Sequence, residues 1–145
     1  MWVVDTSVLV AALVSRAGAS SVVMDAALAG RFRYAVSVAL ALEYEAVLFS
    51  NRMSELAWAS RIQRETVLDA FLMRAELLPS IGFTWRPLLP DPNDDMVVEC
   101  ALQAGAEAIV TPNAKDFRPG RPWPAPPILT PGQAADLLRR QEAKQ

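Results

Sequence analysis

The sequence predicts an α/β fold, with a mainly parallel sheet of four or five strands covered by helices on both faces. Three observations carry that expectation. Short apolar runs such as Trp2-Val3-Val4 and Ala108-Ile109-Val110 alternate with longer stretches of helical periodicity. The runs end in small polar residues, Gly or Pro, which cap helices or turn the chain. The 145 residues are 52% apolar and 21% charged, enough for one core and one domain spanning 1–145.

In order along the chain, residues 2–4 read as a buried strand, followed by a helix over 8–14 with Thr6 or Ser7 as its N-cap. A second helix spans about 20–29 and stops at Gly30. Residues 32–36 read as a second strand, and Ser37 caps a helix through about Phe49 that is apolar on nearly every side. A helix over 61–78 turns Val67, Leu68, Phe71, Leu72 and Leu78 inward, with Arg64, Glu65, Asp69 and Glu76 elsewhere on the wheel. Pro79, Gly82, Pro87, Pro90 and Pro92 mark an irregular connection with a short strand near 83–85. A helix over 93–104 ends at Gly105, and residues 106–111 form another buried strand. Six prolines make 112–127 a loop; 127–129 reads as a last edge strand, and Thr130 as the cap of a final helix through about Arg140. The 141–145 tail is expected to fray.

Composition excludes much chemistry. There is no histidine, so imidazole bases, Ser-His triads and His-bound zinc are absent. The one cysteine, Cys100, can form neither an internal disulfide nor a thiolate cage. Any metal site is therefore built from oxygen, which suits Mg²⁺ or Mn²⁺. A net charge of −2 argues against holding nucleic acid by bulk electrostatics. No apolar run approaches the roughly 20 residues of a membrane span, and the first residues do not read as a signal peptide. The expected compartment is the cytoplasm, with no membrane partner.

Four acidic pieces stand out. Asp5 directly follows a strand, at the carboxyl edge where parallel sheets bind ligands. It serves either as a helix cap or as a functional acid, and Thr6 and Ser7 are present to cap in its place. Asp94 shares a helix face with Val98 and Ala101, so it is expected along the core stripe, with Asp95 toward water. Glu43 and Glu45 are the only charges in an otherwise apolar helix, and periodicity does not choose between them. Asn113 and Asp116 lie in the loop after the 106–111 strand, at the same sheet edge as Asp5 if both strands are parallel.

In this order and spacing, Val3-Val4-Asp5-Thr6-Ser7, Leu42-Glu43-Tyr44-Glu45-Ala46, Asp91-Pro92-Asn93-Asp94-Asp95 and Val110-Thr111 with Asn113 and Asp116 resemble the PIN-domain nucleases. The VapC-type toxins of toxin–antitoxin pairs are the group they resemble in particular. The resemblance implies a three-layer α/β/α fold. It implies an acidic cluster of Asp5, Glu43, Asp94 and Asp116 around Mg²⁺ or Mn²⁺, with Thr6 or Ser7, Thr111 and Asn113 hydrogen-bonding behind it. Glu43 is preferred to Glu45 because the family's acid commonly precedes an aromatic residue. Pro112 departs from the pattern, standing where relatives usually carry a glycine or another flexible residue.

The activity so implied is hydrolysis of RNA phosphodiesters, leaving 5′-phosphate and 3′-hydroxyl ends. Divalent ions would activate water and offset charge on the phosphate. Arg16, Arg52, Lys115, Arg118 and Arg121 are candidates for contact with the RNA backbone, although solvated surface charge is the commoner role for each. A cognate antitoxin and a homodimer are the implied partners, with 53–58 available as an interface. Other readings fit less well. A dehalogenase-like phosphatase needs a second aspartate where Ser7 stands, and a receiver domain leaves Glu43 unexplained. The alternative from a different class is a PIN-like module that binds RNA or protein without cutting.

Overall fold

Parallel strands covered on both faces must be apolar throughout, and the central runs meet that condition: Val3, Val4, Ile109 and Val110 are essentially inaccessible. The computed structural model describes residues 1–79, 94–117 and 126–145. Among them β1 (Trp2–Val4) pairs with β4 (Ala108–Val110), and β4 with β5 (Ile128–Leu129), all parallel. β2 (Ala35–Ser37) pairs in parallel with β3 (Glu76–Leu78). A single parallel bridge, Trp2 to Tyr34, joins the two ladders in the order β3-β2-β1-β4-β5.

Helices flank this sheet. α1 (Thr6–Val14) packs on α2 (Ala19–Leu28) and on α3 (Val38–Leu48), while α2 also meets α7 (Pro131–Glu142). α6 (Asp95–Ala104) runs across β1, β2, β3 and β4 and touches α3. The mixed α/β architecture with a parallel sheet is the predicted one. Caps behave as their residue types demand. Ser37 Oγ accepts from Leu40 N–H, Thr130 and Gln133 form a reciprocal capping box, and Gly105 ends α6 in the left-handed conformation.

Several expectations need correction. The second strand starts at Ala35 rather than Phe32, whose ring instead packs on Trp2, with centroids 4.7 Å apart. The helix predicted over 61–78 is α5 (Arg61–Arg74), and Glu76–Leu78 joins β2 as β3. Sheet pairing wins there over helical periodicity, since Glu76 N–H donates to Tyr34 O and Arg33 pairs with the Glu76 carboxylate. A short helix, α4 (Asn51–Leu56), was not predicted. It buries Met53 and leaves Leu56 and Trp58 partly exposed, the latter with its indole N–H on Ala12 O.

The helix expected to be buried all round, α3, buries only Leu40, Tyr44 and Leu48, and Leu42 is 61% exposed. Arg64, read as facing outward, is 1% exposed. It donates to Leu48 O, Ala59 O and Ser54 Oγ, at 2.8, 2.8 and 3.1 Å. The final helix runs to Glu142, which pairs with Arg31 at 2.9 Å, so order extends two residues into the predicted tail. The predicted strand near 83–85, Asn93, Arg118 and Arg121 lie outside the described residues.

Candidate functional site

Parallel topology places the ends of β1 and β4 side by side at one edge of the sheet, so the residues that follow them meet. Asp5 follows β1 and Thr111 follows β4, and the two are locked by Asp5 N–H donating to Val110 O at 2.9 Å. The Asp5 side chain is 6% exposed. One of its oxygens, Oδ2, accepts from Ser7 Oγ at 2.6 Å and from Thr111 Oγ1 at 2.8 Å. Its other oxygen, Oδ1, accepts no hydrogen bond among the described residues.

The expectation that Thr6 or Ser7 caps α1 is corrected, because both lie inside the helix and Asp5 itself is the N-cap residue. Its carboxylate nevertheless makes no capping bond to the helix amides. The two hydroxyls turn it toward the sheet edge instead. The positive end of the α1 dipole lies beside it and favours its negative charge.

Glu43 sits on α3 and is half-buried, and it accepts a short hydrogen bond from the Thr6 hydroxyl. Glu45 is exposed on the same helix. Thr6 thus ties the two acids together: it follows Asp5 in the chain, and its hydroxyl donates to the Glu43 carboxylate. Next to Glu43, the Tyr44 hydroxyl donates to the carbonyl of Val4. Burial pushes the Tyr44 phenol well above its usual range, and the charges of Asp5 and Glu43 are among the groups that push it further.

After β4, Asn113 N–H donates to Thr111 Oγ1 at 3.1 Å, and Asp116 N–H donates to Asn113 O at 2.9 Å. These bonds fold Ala114–Phe117 into a 3₁₀ turn that holds Asp116 half-buried, while Asn113 is exposed. Asn113 therefore enters the network through its backbone. Asp94 is the N-cap residue of α6 and makes no capping bond. A helix that connects parallel strands begins at their carboxyl edge, which puts Asp94 on the same side as Asp5.

The expected division of labour between Asp94 and Asp95 is not what the fold shows. Asp95 is 0% exposed and Asp94 is half-buried, so Asp95 does not face water. Asp95 is the first residue of α6, and that position is buried in the protein.

Ser7, Asp5 and Thr111 thus form one hydrogen-bonded group and Thr6 and Glu43 another, joined by the Asp5–Thr6 peptide, with Asn113 attached through its backbone. Asp94 and Asp116 share the sheet edge. Among the described residues no three Asp, Glu or Cys side chains converge closely enough to hold one ion.

A family model described as "PIN domain" matches residues 2–115. The chain belongs to the PIN domain family. That match covers Asp5, Glu43, Asp94, Thr111 and Asn113 and ends one residue before Asp116. PIN domains are generally metal-dependent nucleases, so the chain carries a nuclease-type fold. No curated protein and no solved structure matches the chain.

The donor chemistry of this PIN domain fits a hard divalent cation. Asp5 offers a buried carboxylate oxygen that accepts no hydrogen bond among the described residues, and every other candidate ligand is also a carboxylate. Sequence reading missed Tyr44 as a structural tie and Asp95 as a buried acid. A polar-tipped aromatic inside an apolar helix was the available signal for Tyr44.

Proposed function

We propose that this PIN domain is a Mg²⁺- or Mn²⁺-dependent endoribonuclease, working as the toxin of a toxin–antitoxin pair in the cytoplasm. The observation that carries the reading is Asp5. A buried carboxylate at the carboxyl edge of a parallel sheet has one oxygen fixed by two hydroxyls and the other turned to no donor among the described residues. Such an oxygen is costly unless it meets a cation.

Asp5, Asp94 and Asp116 would hold the ion, with Glu43 either binding a second ion or orienting water. A bound divalent ion supplies Lewis acidity, which eases deprotonation of water and offsets charge at the scissile phosphate. The protein's own part is to fix the acids. Ser7 and Thr111 hold the Asp5 carboxylate in one orientation, and Thr6 holds Glu43.

Arg16, Arg52 and Lys115 are the basic residues available for the RNA backbone, although the Arg16 guanidinium already stacks 3.8 Å from the Trp58 ring centroid. An antitoxin that covers the acidic edge, and a homodimer, complete the reading. Among the described residues no single helix is long and apolar enough to cross a membrane. A module that binds RNA or protein without cutting is the second reading, favoured by the lack of any three converging acids among the described residues.

Cleavage of single-stranded RNA in Mn²⁺ separates the two. Wild type should cut, chelator should stop it, and Asp5→Asn should lower the rate about a thousandfold, or about 4 kcal/mol of barrier. Metal-independent cleavage, or an Asp5→Asn variant as fast as wild type, rejects the proposal. RNA binding without any cleavage selects the second reading.

A further inference from the structure

Val4 and Asp5 are neighbours in the chain, as are Glu43 and Tyr44, and one hydrogen bond links the two pairs: the Tyr44 hydroxyl donates to Val4 O. Strand geometry explains why that carbonyl is available. Asp5 N–H points to β4, where it meets Val110 O, and Trp2 N–H points the other way, to Arg33 O. Backbone groups alternate sides along a strand, so the carbonyl of Val4 faces β2, as Trp2 does. Yet among the described residues β1 and β2 are joined only by the Trp2–Tyr34 bridge, and no ladder continues past it. Side chains take over where the strands part. The Cys100 thiol reaches Ala35 O on β2 at 3.8 Å, and the Tyr44 hydroxyl reaches Val4 O on β1.

We infer that Tyr44 is a positioning residue, whose bond to Val4 sets the separation of Glu43 on α3 from Asp5 at the end of β1. The inference rests on the nuclease reading, in which those two acids serve a divalent ion. Two carboxylates of like charge tend to part. Two of the bonds that hold Glu43 against that tendency are the one from the Thr6 hydroxyl to its carboxylate and the one from its neighbour Tyr44 to the Val4 carbonyl. The strut itself is stiff. The Tyr44 ring is 0% exposed and packs edge-on against Phe71, with centroids 5.7 Å apart. Losing the hydroxyl keeps the ring's packing and frees α3 to drift from β1, so the effect should fall on the acids first.

The test is Mn²⁺ uptake by the RNA-free protein, counted by electron paramagnetic resonance, in wild type, Asp5→Asn, Tyr44→Phe, Glu43→Gln and the Tyr44→Phe/Glu43→Gln double variant. Tyr44→Phe should weaken Mn²⁺ affinity about tenfold while its circular dichroism matches wild type. In the Glu43→Gln background the same change should add less than about twofold, because the acid it positions is no longer charged. Equal losses in both backgrounds would mean a general structural role and would overturn the inference, as would wild-type affinity in Tyr44→Phe. If Tyr44→Phe is partly unfolded, trimethylamine N-oxide restores the compact state without supplying the missing hydroxyl, and the same comparison applies. Uptake lost in Asp5→Asn but intact in Tyr44→Phe defeats this inference alone. No uptake by wild type, or equal uptake by Asp5→Asn, defeats the nuclease reading and this inference with it.

Discussion

Two charged side chains are almost completely removed from water in very different ways. Arg64, 1% exposed, spends its guanidinium on three neutral acceptors, Leu48 O, Ala59 O and Ser54 Oγ. Those bonds tie the end of α3 to α4 and to the start of α5. Asp5, 6% exposed, has one oxygen doubly bonded and the other turned to no donor among the described residues. A buried charge whose hydrogen-bonding capacity is used by the fold is there for the fold. On the proposed reading, one that keeps an oxygen in reserve, at the edge where parallel sheets bind ligands, serves a partner the fold does not contain.

The sharpest way to break this contrast is to remove each charge in turn. Arg64→Met keeps the length of the stem but orphans three acceptors, and it should cost about 3 kcal/mol of stability by urea unfolding. Cleavage per folded molecule should hardly change. Asp5→Asn should do the reverse, with lost cleavage and little change in unfolding. If Arg64→Met abolishes cleavage in molecules that remain folded, or Asp5→Asn unfolds the protein, the division fails.

The two aspartates of α6 sharpen the same distinction on a smaller scale. Asp95 is 0% exposed and Asp94 half-buried. Asp95→Asn should lower stability by about 2 kcal/mol with modest loss of cleavage. Asp94→Asn should lower cleavage by about a hundredfold at nearly unchanged stability. The opposite assignment, with Asp95→Asn inactive and folded, would make Asp95 the acid that serves the ion.

Much of this was legible in the sequence, and the exceptions have physical causes. Strand runs beside caps and glycines located β1, β4 and β5, together with the starts of α3 and α7, because those signals are local. The end of α5 was misread because Glu76–Leu78 continues a helical pattern, and only pairing with β2 makes it a strand. The facing of α3 and α6 was misread for a related reason. Apolar composition alone does not say which side a helix buries, and the burial of Asp95 at the start of α6 is set by how that helix packs on the strands and α3. For the site, Asp5, Thr6, Ser7, Glu43 and Thr111 were all named from sequence, and the fold joins them in two hydrogen-bonded groups, Ser7–Asp5–Thr111 and Thr6–Glu43, that meet at the Asp5–Thr6 peptide. The role of Tyr44 was not legible, since it depends on where β1 and β2 part, and no local pattern encodes that.

The account turns on the oxygen that Asp5 keeps in reserve. Crystals soaked in Mn²⁺ and measured at the manganese absorption edge would locate the ion directly. An anomalous peak about 2.1 Å from Asp5 Oδ1, lost in Asp5→Asn, is the result expected. A peak elsewhere on the protein, with Asp5 Oδ1 in contact only with water or with a protein donor, would contradict it.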